Sequence, residues 1–227
     1  MTSALLDNIV WHSLIGPHAV FASGTNTIRR YARGYSQLVG FADCVRPDFA
    51  ALTPWSDAGE HLYCSGWTGE APADWSIAAE GPADILVWDR GIPDDDDSLR
   101  AIRLQFEHVP QAHALVEITR PGPFGDRTIE LGEWYGVFDE GRLVAMTGER
   151  LAAGNLREVS GVCTVPDFQG RGLARRLMLK VIRLQMQRGQ VPFLHVMHDN
   201  QSALGLYLKM GFRSHSQVVI RVISRTP

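Results

Sequence analysis

The stretch Gln169-Gly170-Arg171-Gly172-Leu173-Ala174 decides how this chain is interpreted. Before it, residues 158–165 (EVSGVCTV) form an apolar run typical of a buried strand, and after it apolar residues recur at helical spacing. Glycines let a backbone approach a ligand without a Cβ clash, and the first turn of a helix offers unpaired N–H groups to an anion. A strand, a glycine turn and a helix start in this order therefore predict a phosphate site.

The spacing of the glycines excludes two common phosphate loops. A Walker A loop requires Lys-Ser or Lys-Thr after its last glycine, where this chain has Leu173 and Ala174. A dinucleotide fingerprint requires a third glycine at the position of Arg175. The pattern that fits is Gln/Arg-x-x-Gly-x-Gly/Ala, formed by Gln169, Gly172 and Ala174.

A second motif follows the loop. Asn-x-x-Ala…Leu-Tyr-x-x-x-Gly-Phe is matched by residues 200–212, and residues 192–197 (PFLHVM) form the intervening strand. With both motifs in this order, residues 133–212 resemble the core of a GNAT superfamily acyltransferase, particularly the subgroup that includes glycine N-acyltransferase-like proteins. The resemblance implies an α/β (α+β) fold in which a mixed, mostly antiparallel central sheet has helices on both faces.

The chain divides into two regions by its motifs. The resemblance assigns residues 98–227 to a GNAT acetyltransferase domain with its core at 133–212, while residues 1–97 carry no motif with assignable chemistry. We expect an α/β region there and interpret it as a candidate degenerate GNAT-like half. The acidic run at residues 94–97 is expected to be a solvated turn or linker, because it lacks the alternating ligands, glycine and distal glutamate of a calcium loop.

Composition agrees with a soluble enzyme. The 227 residues are 45% hydrophobic and carry a net charge of −3, which gives no reason to expect nucleic acid or a membrane as partner. The first residues, MTSALLDNIVWHSL, lack the basic start and apolar run of a signal peptide. The 3 cysteines without a CxxC pair favour free thiols over disulfides or zinc. We therefore expect a cytoplasmic monomer or homodimer without metal.

The resemblance implies acetyl-CoA as the cosubstrate, held in a wedge between the strand that ends at Val165 and the strand at residues 193–197. The pantetheine arm would extend the first strand by β-augmentation. We expect the backbone of Cys163 and Val165 to bond it, and an N–H near Val165 to stabilise the oxyanion. Arg171, Arg175 or Arg176 would add charge at the pyrophosphate, or form a solvated helix face. The predicted cofactor residues are Cys163, Thr164, Val165, Gln169, Gly170, Arg171, Gly172, Leu173, Ala174, Arg175, Asn200 and Ser202.

Two residues are predicted to be catalytic. Glu158 lies eleven residues before Gln169, the spacing at which histone-type members of the superfamily carry their catalytic glutamate, and is interpreted as the general base. The alternative is a carboxylate paired at a strand end, with Glu149 as the reserve base. Tyr207 occupies the motif position of the family's tyrosine general acid; its alternative is helix packing.

The interpretation of the other polar residues concerns packing, helix capping and the acceptor. His195 is expected in the core and His198 in an exposed loop, and the Cys163 thiol is expected to be a small buried residue rather than an acyl relay. Asn200 would bond pantetheine or cap the following helix. For the acceptor, the loop after the first helix of the domain offers Arg120, Phe124 and Arg127. The two arginines would clamp a carboxylate bidentately, or pin the loop to the domain.

The sequence as a whole predicts an acyl-CoA-dependent N-acetyltransferase that acts by direct transfer. Its expected acceptor is the primary amine of a small molecule or an amino acid. Two alternatives stay open: a non-catalytic GNAT module that binds acyl-CoA as a sensor or structural element, and a peptide or protein N-acetyltransferase.

Overall fold

The computed structural model describes residues 2–226. Its helices are α1 (Thr2–Leu6), α2 (Ile9–Ile15), α3 (Phe49–Leu52), α4 (Val109–Thr119), α5 (Leu173–Gln187) and α6 (Gln201–Met210). Its strands are β1 (Ala22–Gly24), β2 (Ile28–Tyr31), β3 (Val39–Phe41), β4 (His61–Ser65), β5 (Trp75–Trp88), β6 (Ala101–Arg103), β7 (Trp134–Asp139), β8 (Arg142–Ala153), β9 (Leu156–Thr164), β10 (Val191–Met197) and β11 (Phe212–Arg225). Within this part of the chain, no helix is long and apolar enough to span a membrane.

Two sheets organise the chain. The larger has eight strands in the order β4-β11-β5-β10-β9-β8-β7-β6, and the smaller has the order β1-β2-β3. In the larger sheet β9 and β10 are parallel, and the other neighbouring strands pair antiparallel. The predicted mixed, mostly antiparallel sheet is confirmed.

The first 97 residues contribute to the larger sheet. Strand β5 lies between β10 and β11, and β4 pairs with the outer side of β11. The predicted boundary at residues 97 and 98 therefore falls between β5 and β6, which belong to one sheet. The division into two domains stays a prediction, and so does the interpretation of the N-terminal region as a degenerate half.

Helices cover both faces of the larger sheet. Neighbouring side chains on a strand point to opposite faces, and on β10 Phe193 packs with residues of α2 whereas Leu194 packs with residues of α5 and α6. Helix α5 begins at Leu173, after Gly170 and Gly172, which both have a left-handed φ of +75°. Gly172 is the N-cap residue, so the glycine turn leads directly into the first turn of α5.

A buried polar group joins the N-terminal region to the sheet. The Nδ1 atom of His18 lies 2.7 Å from the Tyr31 hydroxyl and 3.2 Å from the Ser13 hydroxyl, and Ser13 accepts a bond from the Ala152 amide. His18 is 3% exposed. Burial, followed by the nearby charge of Arg157, lowers the pKa of His18 from 6.5 to about 4. The native fold therefore holds this imidazole neutral.

We expect the burial of His18 to make the protein less stable in mild acid. The unfolded chain binds a proton at this histidine below pH 6.5 and the folded chain does so only near pH 4, so stability is present at neutral pH and falls between these values. Between pH 7 and pH 5 the loss is about 2 kcal/mol. The measurement is the urea midpoint at both pH values. His18→Gln should shrink the gap, whereas His61→Gln, at an exposed position, should leave it unchanged. An undiminished gap in His18→Gln would contradict this account.

Candidate active site

The parallel strands β9 and β10 separate along their length. They pair at Leu156 with Val191, at Arg157 with Pro192 and at Glu158 with Phe193. Beyond these three positions a cavity of about 400 Å³ lies between them, lined by residues 159–162 of β9 and 194–197 of β10. The cavity lies where the resemblance places the acyl-CoA wedge.

The backbone of β9 presents Thr164 rather than Val165 to the wedge. The Val165 amide donates to the Val144 carbonyl at 2.9 Å, and the Val165 carbonyl accepts from Phe168 at 3.0 Å, so neither group is free for pantetheine or an oxyanion. Because hydrogen-bonding sides alternate along an antiparallel pair, the backbone groups of Cys163 also face β8, and those of Thr164 face β10. The bond to Val144 therefore argues against the predicted contact through the Val165 amide.

The glycine loop leaves its backbone donors free. Within residues 2–226, the amides of Gly170, Arg171, Gly172, Leu173 and Ala174 donate no backbone hydrogen bond. A Cβ added to Gly170 or Gly172 would meet nothing within 4 Å, so open space lies beside these amides. The Gln169 amide, in contrast, donates to the Pro166 carbonyl, and its side chain donates to the Thr164 carbonyl at 3.2 Å. The arrangement suits an anion at residues 170–174, at the positive end of α5.

The acidic run after β5 occupies part of the basic face of α5. Asp96 accepts two bonds from Arg176, at 2.6 and 3.0 Å, and these bonds lower the pKa of Asp96 well below its usual range. Arg183 donates to the Pro93 carbonyl at 2.8 Å. All four aspartates are exposed, as expected of a solvated turn or linker, but Asp96 also holds Arg176 in a pair.

The remaining loop arginines lie closer to solvent. The Arg171 guanidinium donates to the Asp167 carbonyl at 3.0 Å and stacks on Phe168 at 4.3 Å from the ring centre. Arg175 is exposed in the first turn of α5. Arg171 and Arg175 are thus better placed than Arg176 to supply charge at the loop.

Tyr207 reaches the cavity from α6. It is 8% exposed and lines the cavity, and burial raises the pKa of its hydroxyl to about 12. It therefore keeps its proton at neutral pH. Asn200 also lines the cavity, while its Oδ1 accepts from the Ala203 amide at 3.1 Å and so caps α6. Ser202 is exposed in the first turn of that helix.

Cys163 is a poor candidate for an acyl relay. It is 6% exposed, and burial raises the pKa of its thiol to about 11. A thiolate is the reactive form of cysteine, so this side chain is unreactive at neutral pH.

Glu158 is the centre of a buried charged group. Its carboxylate is 1% exposed and accepts from Arg150 Nε at 3.0 Å and Arg150 Nη2 at 3.1 Å. The ring of His195 lies against it, with Nδ1 at 2.8 Å from Oε1. Burial alone would raise the pKa of Glu158, but Arg150 and His195 outweigh it and lower the pKa to about 2. Glu149, the reserve base, is buried and bonded to Arg188 and to the Glu133 amide.

His195 is a site residue that sequence reasoning assigned to the core. It lines the cavity, with 11% of its side chain exposed. Its contact with Glu158 depends on the register of β9 against β10, in which Phe193 pairs with Glu158. The signal that the sequence offered was a polar residue on an otherwise apolar strand. His198, in contrast, is half-exposed and contacts Asp84 at 2.8 Å.

Two further parts of the chain line the cavity. Arg120 and residues 121–123 line it from the loop after α4, and Leu38, Tyr63 and Cys64 line it from the N-terminal region. The first 97 residues therefore contribute to the site, a role that no motif indicated.

The other two predicted acceptor residues, Arg127 and Phe124, contact other side chains of the protein. Arg127 pairs bidentately with Glu130, at 2.5 and 2.9 Å, and stacks on Tyr35 at 4.3 Å from the ring centre. Phe124 packs edge-on against Trp134, with ring centres 5.1 Å apart. The structure thus does not bring Arg120 and Arg127 together at one cavity.

Comparisons with known proteins agree with this geometry. The FR47-like protein family matches residues 134–221. The N-alpha-acetyltransferase RimI of Mycobacterium tuberculosis is 43% identical over 56 residues, which are 25% of this chain and 34% of that protein. This match therefore spans only about a third of the length of that relative.

Solved structures extend the likeness to the whole chain. A GCN5-related N-acetyltransferase from Kribbella flavida, 15% identical, shares the fold with a TM-score of 0.61 over 94% of this chain and 93% of its own. A crystal structure from Novosphingobium aromaticivorans, described as an acetyltransferase of the GNAT family, has a TM-score of 0.91 and 34% identity over 98% of this chain and 99% of its own. With identity at this level over nearly its full length, the chain belongs to the GNAT family of acetyltransferases.

Proposed function

We propose that this protein transfers an acetyl group from acetyl-CoA to the primary amine of a small molecule or an amino acid. The observation that carries the proposal is the cavity between β9 and β10, which has Tyr207 and His195 on its walls. The amides of residues 170–174, at the start of α5, are free to receive an anion. Pyrophosphate would bind the amides, and the thioester would lie between the strands. Thr164, Asn200 and Ser202 are the proposed contacts of the pantetheine arm.

Direct transfer needs a base for the amine and an acid for the thiolate. A lysine-like amine with a pKa of about 10.4 is neutral in only roughly one molecule in 2,500 at pH 7, a deficit of about 4.6 kcal/mol. A positioned base relieves this deficit, and the predicted base Glu158 belongs to the buried group with Arg150 and His195. Tyr207, which keeps its proton at neutral pH, is the proposed donor to the departing thiolate.

A small acceptor is supported by the walls of the cavity. Its volume of about 400 Å³ is in the range of small-molecule sites, and loop residues 121–123 and the N-terminal region border it. Arg120, which lines it, is the proposed partner of an acceptor carboxylate, since Arg127 is paired with Glu130. The local match to RimI favours a second candidate, the N-terminal amine of a protein.

Binding of acetyl-CoA is tested by thermal unfolding. At a hundred times its dissociation constant, a ligand adds about 2.7 kcal/mol of stability, which raises the melting temperature of a chain this size by about 5–10 °C. We expect this rise with acetyl-CoA and CoA, and none with NAD.

Two glycine variants make a matched pair for this test. Gly172 and Gly189 have nearly the same φ, +75° and +74°, and a Cβ at either would meet nothing within 4 Å. Valine at both positions costs similar backbone strain, but only Gly172→Val fills the space beside the free amides. Gly172→Val should abolish the shift and Gly189→Val should retain it. A wild-type protein that does not respond to any CoA species would refute the proposed cosubstrate.

A further inference from the structure

We infer that His195 is the catalytic base, and that its Nε2 atom takes the proton from the acceptor amine while Glu158 positions the ring. The inference rests on the proposed function and assigns one step of it to atoms. The sequence was interpreted with Glu158 as the base, whereas the contacts of Glu158 and His195 favour His195.

Glu158 is poorly placed to accept a proton. Both of its oxygens receive hydrogen bonds from Arg150, and Oε1 also contacts His195. Its side chain is 1% exposed, and Glu158 does not line the cavity that His195 lines. Protonation would break charge-assisted bonds and leave the buried Arg150 cation without its partner. The carboxylate is therefore an acceptor of fixed hydrogen bonds.

His195 has the opposite properties. An ionised carboxylate only accepts, so the contact of Nδ1 with Glu158 makes Nδ1 the donor. In the neutral ring the lone pair then lies on Nε2, the nitrogen that is left for the cavity. A carboxylate behind an imidazole fixes its tautomer and stabilises the imidazolium, as in a catalytic triad. The pair therefore has the arrangement of a base with its positioning residue.

The groups around His195 come from several elements. Glu158 of β9 contacts His195. The cavity that His195 lines is also lined by Arg150 of β8, Tyr63 of β4, Arg120 of the loop after α4 and Tyr207 of α6. Arg150 offsets the charge of Glu158 through their bidentate pair. The proposed base and the proposed acid thus approach one space from different strands and helices.

The proton and electron balance of the step is as follows. His195 Nε2 takes one proton from the acceptor ammonium, and the freed lone pair forms the N–C bond as the carbonyl electrons move to oxygen. Those electrons return as the C–S bond breaks, and the Tyr207 hydroxyl gives its proton to the sulfur. Tyr207 regains a proton from the nitrogen of the new amide through solvent, and His195 releases its proton to solvent. One ammonium and one thioester yield an amide, a thiol and one proton.

The test is chemical rescue of His195→Ala. Loss of a positioned base lowers kcat by about 10²–10⁴-fold. We expect this loss without a change in the melting-temperature shift caused by acetyl-CoA. Added imidazole should restore kcat at least about tenfold, whereas pyrazole, a ring of the same size and a far weaker base, should restore none. Equal rescue by both rings would show that the side chain only fills space and would overturn the inference, as would an unchanged kcat in His195→Ala.

Further variants keep the outcome interpretable. If His195→Ala does not fold, His195→Gln retains an N–H donor for Glu158 and should show the same loss of kcat. In Glu158→Gln, the acid limb of the kcat/KM profile should move to lower pH, a change that a purely structural role does not cause.

A wild-type protein that binds acetyl-CoA but acetylates no amine would instead refute the proposed function. Activity in the wild type that persists in His195→Ala would refute this inference alone.

Discussion

Replacement of Arg150 by methionine is expected to lower the free energy of unfolding by about 3–5 kcal/mol, a large part of the stability of an ordinary domain. Arg150 and Glu158 are 13% and 1% exposed and pair bidentately inside the fold. Removal of the cation leaves a buried carboxylate whose remaining side-chain hydrogen-bond partner among the described residues is His195. Urea unfolding at pH 7 measures the effect.

Two controls separate this effect from the loss of any arginine. Arg213 pairs with Asp89 at the surface, where their side chains are 74% and 48% exposed, so Arg213→Met should cost less than about 1 kcal/mol. The double variant Arg150→Met/Glu158→Leu removes both charges and should lose less than the sum of the single losses. If Arg150→Met cost no more than Arg213→Met, the buried pair would not be a major part of the stability of the site.

Replacement of Tyr207 by phenylalanine is expected to lower kcat by about 10²–10⁴-fold, because it removes the proposed proton donor to the thiolate. The KM for acetyl-CoA should change little, since the ring stays in its packing against α5 and β10. Within residues 2–226 the Tyr207 hydroxyl makes no hydrogen bond to the protein, so the melting temperature should also stay close to that of the wild type. Steady-state kinetics with a saturating amine measures both constants.

Tyr135→Phe is the matched control for this variant. Tyr135 packs against the same apolar cluster, and its hydroxyl contacts Glu133 rather than the cavity. Its kcat should equal that of the wild type. An acetyl thioester with a more acidic thiol needs less help from an acid, so the loss in Tyr207→Phe should be smaller with that donor. A Tyr207→Phe enzyme with full turnover would remove the tyrosine from the proposed mechanism.

Local patterns predicted the elements that form the proposed cofactor site. Gly170 and Gly172 both have a left-handed φ, and α5 and α6 follow the glycine loop and Asn200, as the two motifs predicted. These features depend on residues that are close in sequence, so short motifs and periodicity are sufficient to find them.

The structural features that local sequence patterns did not predict depend on pairing between residues far apart in the chain. Strand β5 enters the sheet beside β10, and Asp96 pairs with Arg176 eighty residues away. Whether Thr164 or Val165 turns its backbone groups away from β8 depends on which of them bonds Val144. The hydrophobic pattern of the sequence does not determine this. His195 belongs to the site because β9 and β10 are aligned at Glu158 and Phe193. Registers of this kind follow from tertiary packing rather than from local propensity.

Single-turnover acetyl transfer tests the central claim most directly. Excess protein is mixed with carbon-13-labelled acetyl-CoA and a panel of amino acids, small amines and peptides, and the products are identified by mass spectrometry. We expect one class of small amine to gain the labelled acetyl group in the wild type and in Tyr135→Phe, with transfer strongly slowed in Tyr207→Phe and His195→Ala. Bound acetyl-CoA that is never consumed, with every amine in the panel unmodified, would contradict the account and favour a module that binds acyl-CoA without catalysis.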